Sequence, residues 1–313
     1  MSSIISGIGN TNLFKLQKLS DELGVKVYIK AEMENLGASI KARPVKYMLG
    51  VAEEAGYITP GKSTIVEASS GNTGIALACL GAVRGYKTII VMPESMSQER
   101  RDLIAAYGAE IVLTAASGGM QASVARALEI VQKTPGAWLL DQFNNIANIV
   151  AHELQTGPEI YKALEKAPDY FITGVGTGGT ISGVAQYFKE SLSAKTEFYA
   201  VEPAESPLIS QTLSGEETQA SAHKIQGIGA NFIPNNLCLS YLDGAIKVDY
   251  SDALSQAKWM AKHEGLLAGF SSGANIAAIR QFVSENEDVH GKTIVTIAAD
   301  SAERYLSSGA FVD

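Results

Sequence analysis

Short runs dense in β-branched and apolar residues alternate along the chain with longer stretches whose apolar positions recur every three or four residues. Eight of the short runs read as strands: VKVYIK from Val25, STIVEA from Ser63, TIIVMP from Thr88, EIVLT from Glu110, AWLLDQ from Ala137, YFITGV from Tyr170, EFYAVEP from Glu197 and TIVTIAAD from Thr293. Several are apolar at successive positions and not only at alternate ones, so both faces must be covered, and by helices. Strand following helix over nearly the whole length predicts parallel strands joined by crossover helices, an α/β fold.

The helical stretches carry readable ends. NTGIALACLGAVRG starts at Asn72 and stops at Gly85, and SDALSQAKWMAKHEG runs from Ser251 to Gly265, each closing on the glycine that a left-handed C-cap favours. In SMSQERRDLIAAYG, Ser95 and Gln98 stand at capping-box spacing and Gly108 closes the segment. A further helix is expected from Pro44, because the residue before a proline is biased away from helix. No repeat or long linker breaks the pattern, and the polar segment LDQFNNIANIVAH around residues 140–152 is the expected crossing point between domains.

Length and composition narrow the class. The 313 residues, 46% of them hydrophobic, are enough for two domains with sizeable cores. With 25 basic and 33 acidic residues the formal charge is -8, which argues against a nucleic-acid backbone or an anionic membrane as partner and for small molecules. Cys79 and Cys238 make neither a disulfide framework nor a metal-ligand spacing, so a reducing cytoplasm and no bound metal are expected. The segment MSSIISGIGN lacks the basic and apolar regions of a signal peptide, and no apolar run approaches a membrane span.

Three strand ends run through small residues into a helix. In EASSGNTG, Ser69, Ser70, Gly71, Asn72 and Thr73 offer hydroxyls, an amide and backbone N–H groups to an anion such as a carboxylate. In ITGVGTGGTISG, Gly174, Gly176, Gly178 and Gly179 let backbone approach a phosphate closely. In LAGFSSGANIAA, Ser271 and Ser272 precede a helix. Each loop also has a plain conformational use, since serine and asparagine cap helices and glycine makes tight turns without any ligand. Gly174, Gly176 and Gly179 further satisfy the dinucleotide fingerprint, with Glu202 at the end of the next strand where a ribose-binding acid belongs.

A second cofactor class enters through ENLGASIKARPVKYM, in which a Gly-Ala-Ser turn delivers Lys41 to the head of a helix. The helix dipole disfavours an ammonium there. Pyridoxal phosphate makes use of such a place: its aldehyde condenses with a neutral amine, and burial beside helix N–H dipoles shifts a lysine that way. The phosphate needs a glycine cradle, and the ring oxygen and ring nitrogen need partners of the types of Asn72 and Ser271. Most lysines are solvated surface groups, and the residues alone leave pyridoxal phosphate and a nicotinamide dinucleotide both standing.

Beyond these loops, IGNTNLFKL, ENLGASIKAR, EASSGNTGIALA, MPESMSQERR, LLDQFNN, TGPEI, GVGTGGTISG, VEPAESPLI, HKIQGIGANFIP, GLLAGFSSGA and AERYLSS together resemble the cysteine synthase (O-acetylserine sulfhydrylase) family of fold-type II pyridoxal phosphate enzymes. The resemblance implies two α/β/α domains with twisted, mostly parallel sheets, tryptophan synthase β-like, and an active site in the cleft between them. It assigns 1–40 and 147–313 to a larger phosphate-binding domain and 41–146 to a smaller mobile one.

By the same resemblance Lys41, after Ser39, is the Schiff-base lysine. Asn72 contacts the ring hydroxyl, and Ser69, Ser70, Asn72 and Thr73 with Gln142 hold the substrate carboxylate. Gly176, Thr177, Gly178, Gly179 and Thr180 bind the phosphate, and Ser271 meets the pyridine nitrogen. The implied reaction is β-replacement: O-acetylserine displaces Lys41, the freed amine takes the α-proton, acetate leaves an aminoacrylate, and sulfide adds to give cysteine. The implied partners are the amino acid, sulfide or another thiol, a second copy in a homodimer, and the C-terminal tail of serine acetyltransferase.

Some positions depart from the family's usual pattern. Asn12 and Leu36 replace prolines, Ala42 follows the lysine where aspartate is common, and Ala302 replaces a glycine. In GIGAN, Asn231 stands where GIGAGF has glycine, placing two donors and an acceptor where the substrate's β-substituent belongs. Asparagine also tolerates glycine-like backbone angles. The sharper expectation is a shifted specificity, with cysteine as first substrate, sulfide released, and serine, lanthionine or cystathionine formed.

Overall fold

The computed structural model describes residues 4–311. Residues 1–3 and 312–313, which the expected division also covered, lie outside the described residues. Strands are β1 (Leu13–Lys15), β2 (Lys26–Ala31), β3 (Thr64–Ala68), β4 (Lys87–Pro93), β5 (Glu110–Thr114), β6 (Ala137–Leu139), β7 (Tyr170–Gly174), β8 (Glu197–Pro203), β9 (Gly244–Val248) and β10 (Thr293–Ala298). Helices are α1 (Gln17–Leu23), α2 (Ala42–Glu54), α3 (Asn72–Arg84), α4 (Gln98–Ala106), α5 (Gly119–Lys133), α6 (Ala147–Ala151), α7 (Gly157–Leu164), α8 (Gly179–Ala185), α9 (Leu208–Leu213), α10 (Tyr250–Glu264) and α11 (Phe270–Glu285). None of the described helices is long and apolar enough to cross a membrane.

Two compact units form, one from residues 4–9 with Asn35–Ala151, the other from Asn10–Glu34 with residues 152–311. The first holds a four-stranded, all-parallel sheet in the order β5-β4-β3-β6. β3 is buried along its whole length, as its apolar run predicts. Ile65 faces a core with Val45, Leu49, Ile75 and Ile90, and Val66 faces another with Ile89 and Ala127. Fully burying such side chains stabilises the fold by about 2 kcal/mol each. From β3 the chain passes through α3 to β4 on one side, and α5 later returns it to β6 on the other. The carboxyl ends of β3 and β6 therefore flank the point where strand order reverses, where open α/β sheets bind ligands.

The second unit holds six strands in the order β1-β2-β10-β7-β8-β9, parallel except for the antiparallel edge strand β1. Its core joins Val27, Ile29, Ile172, Val201, Ile279 and Ile294. β7 leads through α8 to β8 and on to β9, whereas β10 enters on the other side of β7. The reversal in this sheet therefore lies between the carboxyl ends of β7 and β10.

All eight predicted strands are present, within a few residues at their ends. β1 and β9 were not predicted. Helix starts differ more: α2 begins at Ala42, two residues before Pro44, because the first helical turn needs no partner for the missing proline N–H. The Ser95–Gln98 capping box does not form, since α4 starts at Gln98 with Ser97 at its N-cap and no side-chain cap bond. Gln98 Nε2 instead donates to Asp102 Oδ1 at 2.7 Å, one turn along. Ser271 and Ser272 lie inside the first turn of α11 and do not precede it.

Candidate active site

In the first unit the loop after β3 is built from side chains. Ser69, 4% exposed, turns its Oγ inward to accept the N–H groups of Gly71 at 3.3 Å and Gly74 at 3.1 Å. Ser70 is half-buried, and its carbonyl accepts from the Arg100 guanidinium at 3.1 Å. Asn72 opens α3 and is half-buried. Thr73 is buried and donates through Oγ1 to Gln142 Oε1 at 2.6 Å, a bond between the loops after β3 and β6. Ser69, Ser70, Asn72, Thr73 and Gln142 thus meet at the reversal point of one sheet.

Lys41 occupies the N-cap of α2 with helical backbone angles, and its carbonyl accepts from Val45 N at 3.2 Å. The chain reaches it through Gly37 and Ala38, both with positive φ, at 75° and 51°. A Cβ on Gly37 would lie 3.7 Å from Ala76 Cα, so this turn rests on the start of α3. Ser39, fully buried, accepts the Lys41 N–H at 3.4 Å. The lysine's half-buried side chain therefore starts from a fixed backbone.

Sequence reasoning missed Glu67. It sits in β3 at 3% exposure and accepts from Asp141 N at 2.9 Å and from both the backbone and the side chain of Gln142. Burial, reinforced by the Asp141 carboxylate, pushes its pKa from the ordinary 4.5 up to about 8 against the pull of those hydrogen bonds. Asp141 itself has a positive φ of 56°. The available signal was a lone acid inside an otherwise apolar strand.

The second unit's loop after β7 is built from backbone. A Cβ on Gly176 would lie 2.6 Å from the Gly227 carbonyl oxygen, and one on Gly178, whose φ is +83°, would lie 2.6 Å from Leu237 N. Neither neighbour is a side chain that can rotate away, so no other residue fits without moving main chain. Thr177 Oγ1 accepts from Gly179 N at 3.5 Å, and Thr180 Oγ1 lies 3.2 Å from the buried His152 ring. Gly179 opens α8, whose leading N–H groups suit an anion. Ser271, 6% exposed, has its Oγ 3.7 Å from where a Gly227 Cβ would stand, so it belongs to the same cluster.

Several departures find a reason here. Asn12 gives Glu34 both its backbone N–H, at 2.7 Å, and its side-chain amide, at 2.9 Å, bonds of which proline would lose the first. Leu36 packs on the first unit's core, and Ala42 and Ala302 are fully buried. Asn231 is exposed and is not among the residues with positive φ, so it needs no glycine-like angle.

Glu202 decides against a dinucleotide. Its buried carboxylate accepts the N–H groups of Ile209 at 2.7 Å and Ser210 at 2.8 Å, and the Ser210 hydroxyl. It therefore serves the head of α9, and the ribose role read from the fingerprint is withdrawn. The glycine cradle, with Ser271 beside it and a lysine at a helix head elsewhere, fits a phosphate-bearing aldehyde better.

Comparison with known proteins agrees. Residues 4–300 match the family model described as pyridoxal-phosphate dependent enzyme. The chain is 46% identical over 309 residues to cysteine synthase A of Escherichia coli, covering 98% of this chain and 94% of that one. Among solved structures, an O-ureido-L-serine synthase aligns with a TM-score of 0.91 at 36% identity, covering 100% and 96% of the two chains. A hydrogen sulfide-producing enzyme from Fusobacterium nucleatum aligns with a TM-score of 0.90 at 39% identity, covering 97% and 99%. An α/β chain with a lysine at a helix head, a glycine-rich turn before α8 and this likeness along its length belongs to the pyridoxal-phosphate dependent enzymes and is of the cysteine synthase type.

Proposed function

We propose that the protein performs β-replacement on a serine-type amino acid, making cysteine from O-acetylserine and sulfide. The observation that carries this reading is Lys41 at the head of α2, on a turn seated against α3, the helix that Asn72 and Thr73 open. Likeness to cysteine synthase A over 98% of the chain supports the choice of substrate class. When bound, pyridoxal phosphate supplies a carbonyl for an imine and an electron sink for the α-carbon.

The residues do the rest. The Lys41 amine would anchor the cofactor and, when free, take the substrate's α-proton and later return it, so one group would serve as anchor, base and acid. Hydroxyls and N–H groups of Ser69, Ser70, Asn72 and Thr73, with the Gln142 amide, bind the α-carboxylate. Gly176, Thr177, Gly178, Gly179 and Thr180 hold the phosphate. Ser271 would meet the ring nitrogen with a hydroxyl, which does not demand a protonated ring and so suits expulsion of a good β-leaving group.

Product analysis tests the reading. Purified holoenzyme given O-acetylserine and sulfide yields cysteine and acetate; absence of cysteine with the cofactor bound would refute it. A second reading takes cysteine as first substrate with sulfide released. The exposed Asn231 beside a glycine-rich turn and the likeness to a hydrogen sulfide-producing enzyme favour it. Incubation with cysteine alone decides: sulfide evolution that Asn231→Gly abolishes supports the second reading, and no sulfide ends it. The same proposal makes the chain a cytoplasmic homodimer that accepts the serine acetyltransferase tail, tested by light scattering and by titration with a tail peptide.

A further inference from the structure

A carboxyl buried inside an apolar strand, with no part in the reaction so far described, calls for a use. Glu67 accepts from the Gln142 side chain, and Gln142 Oε1 in turn accepts the Thr73 hydroxyl at 2.6 Å. The three side chains are 3%, 7% and 3% exposed, so little solvent intervenes. An amide has one acceptor end and one donor end, and a threonine has a single proton. The direction of the chain is therefore set at Glu67: while it accepts, the Gln142 amide must present N–H to it and oxygen to Thr73, and the Thr73 proton is spent.

We propose that Glu67 is a positioning residue that sets the direction of the Gln142 amide and thereby decides whether Thr73 offers its proton to the substrate carboxylate. The proposal rests on the carboxylate-binding role of Thr73 and Gln142 in the reading above. With Glu67 neutral, its O–H donates to the Gln142 oxygen, the amide turns over, its N–H meets Thr73 Oγ1, and the threonine proton is released towards the carboxylate. With Glu67 ionised, the amide takes the direction seen here and Thr73 presents only lone pairs to an anion. No bond to carbon forms or breaks; one proton moves between Glu67 and solvent.

The surroundings permit that exchange near neutral pH. Burial and the Asp141 carboxylate hold the Glu67 proton up to about 8. In β4 the facing residue is Ile90, and β6 pairs with β3 through Ala137, Trp138 and Leu139, all without charge. On the neighbouring helices, Arg84 of α3 is paired with Glu53 of α2, and Arg126 and Lys133 of α5 both pair with Glu129. Neither these nor the buried Arg43 and the Lys46 of α2 offset the push upward.

The test is calorimetric titration of holoenzyme with L-alanine, which has the carboxylate but no β-leaving group, and with ethylamine, which has only the amine. Between about pH 6.5 and 9 the wild type loses about tenfold in L-alanine affinity beyond any change for ethylamine, the worth of one charge-assisted hydrogen bond. Glu67→Gln, whose amide donates like the neutral acid at every pH, keeps the tight binding and loses that dependence. Thr73→Val binds weakly and without the dependence throughout, and carries the same test should Glu67→Gln fail to fold. A Glu67→Gln profile that follows the wild type overturns the proposal. Unchanged L-alanine binding in Gln142→Ala would instead remove the carboxylate reading beneath it.

Discussion

Both sheets place a loop at their reversal point, yet the two loops are made of different material. The loop after β3 turns hydroxyls and an amide inward: Ser69 Oγ accepts the N–H groups of Gly71 and Gly74, and Thr73 Oγ1 donates to Gln142 Oε1. The loop after β7 is glycine-rich, with Gly176 and Gly178 pressed against the backbone at Gly227 and Leu237. On the proposed reading, the difference is a division of labour. A permanently held phosphate is best met by fixed N–H groups, whereas a substrate that enters and leaves in every cycle needs groups that can re-aim.

Substitution at glycine breaks that comparison most sharply. Gly178→Ala combines a positive φ of +83° with a contact of 2.6 Å to main chain, and should cost the loop about 4 kcal/mol in strain and overlap. Equilibrium dialysis should show the cofactor lost from this variant. Gly71→Ala, in the other loop, meets nothing within 4 Å and has φ -139°, so urea denaturation should register a change within about 0.5 kcal/mol.

The next effect separates the loops by pH. The folded protein keeps the Glu67 proton up to about pH 8, while the unfolded chain releases it near 4.5. Across that window the folded state holds the extra proton, so its stability falls as pH rises, by up to about 1.4 kcal/mol per pH unit, and levels off above the folded value. Denaturation midpoints of wild type and Glu67→Gln should diverge accordingly, the variant lacking that part of the slope. Smallest is Ser69→Ala, which strips an acceptor from the N–H groups of Gly71 and Gly74 and should cost about 1 kcal/mol by the same measurement.

The sequence discloses the two loops unequally. Strands buried on both faces, such as β3, β4 and β10, announce themselves by apolar residues at successive positions, with Glu67 of β3 and Thr296 of β10 as polar interruptions. β1, with three residues on a sheet edge, is too short to show a period, and β9 begins on a glycine with only five residues. The glycine cradle is legible because its chemistry is written in residue type. The Glu67–Gln142–Thr73 chain is not, since it joins positions 69 residues apart through a crossover whose landing place, beside β3, no local pattern specifies. Glu202 misled for a related reason: its spacing suited a ribose, and only the position of α9 reveals that its carboxylate is already engaged.

Lys41 carries the central claim, and reductive trapping tests it most directly. Freshly purified holoenzyme treated with borohydride, digested and mapped by mass spectrometry should carry the pyridoxyl adduct on the Lys41 side chain and on no other lysine. An adduct at another lysine, or none in material that retains the cofactor's absorbance before reduction, would contradict the account.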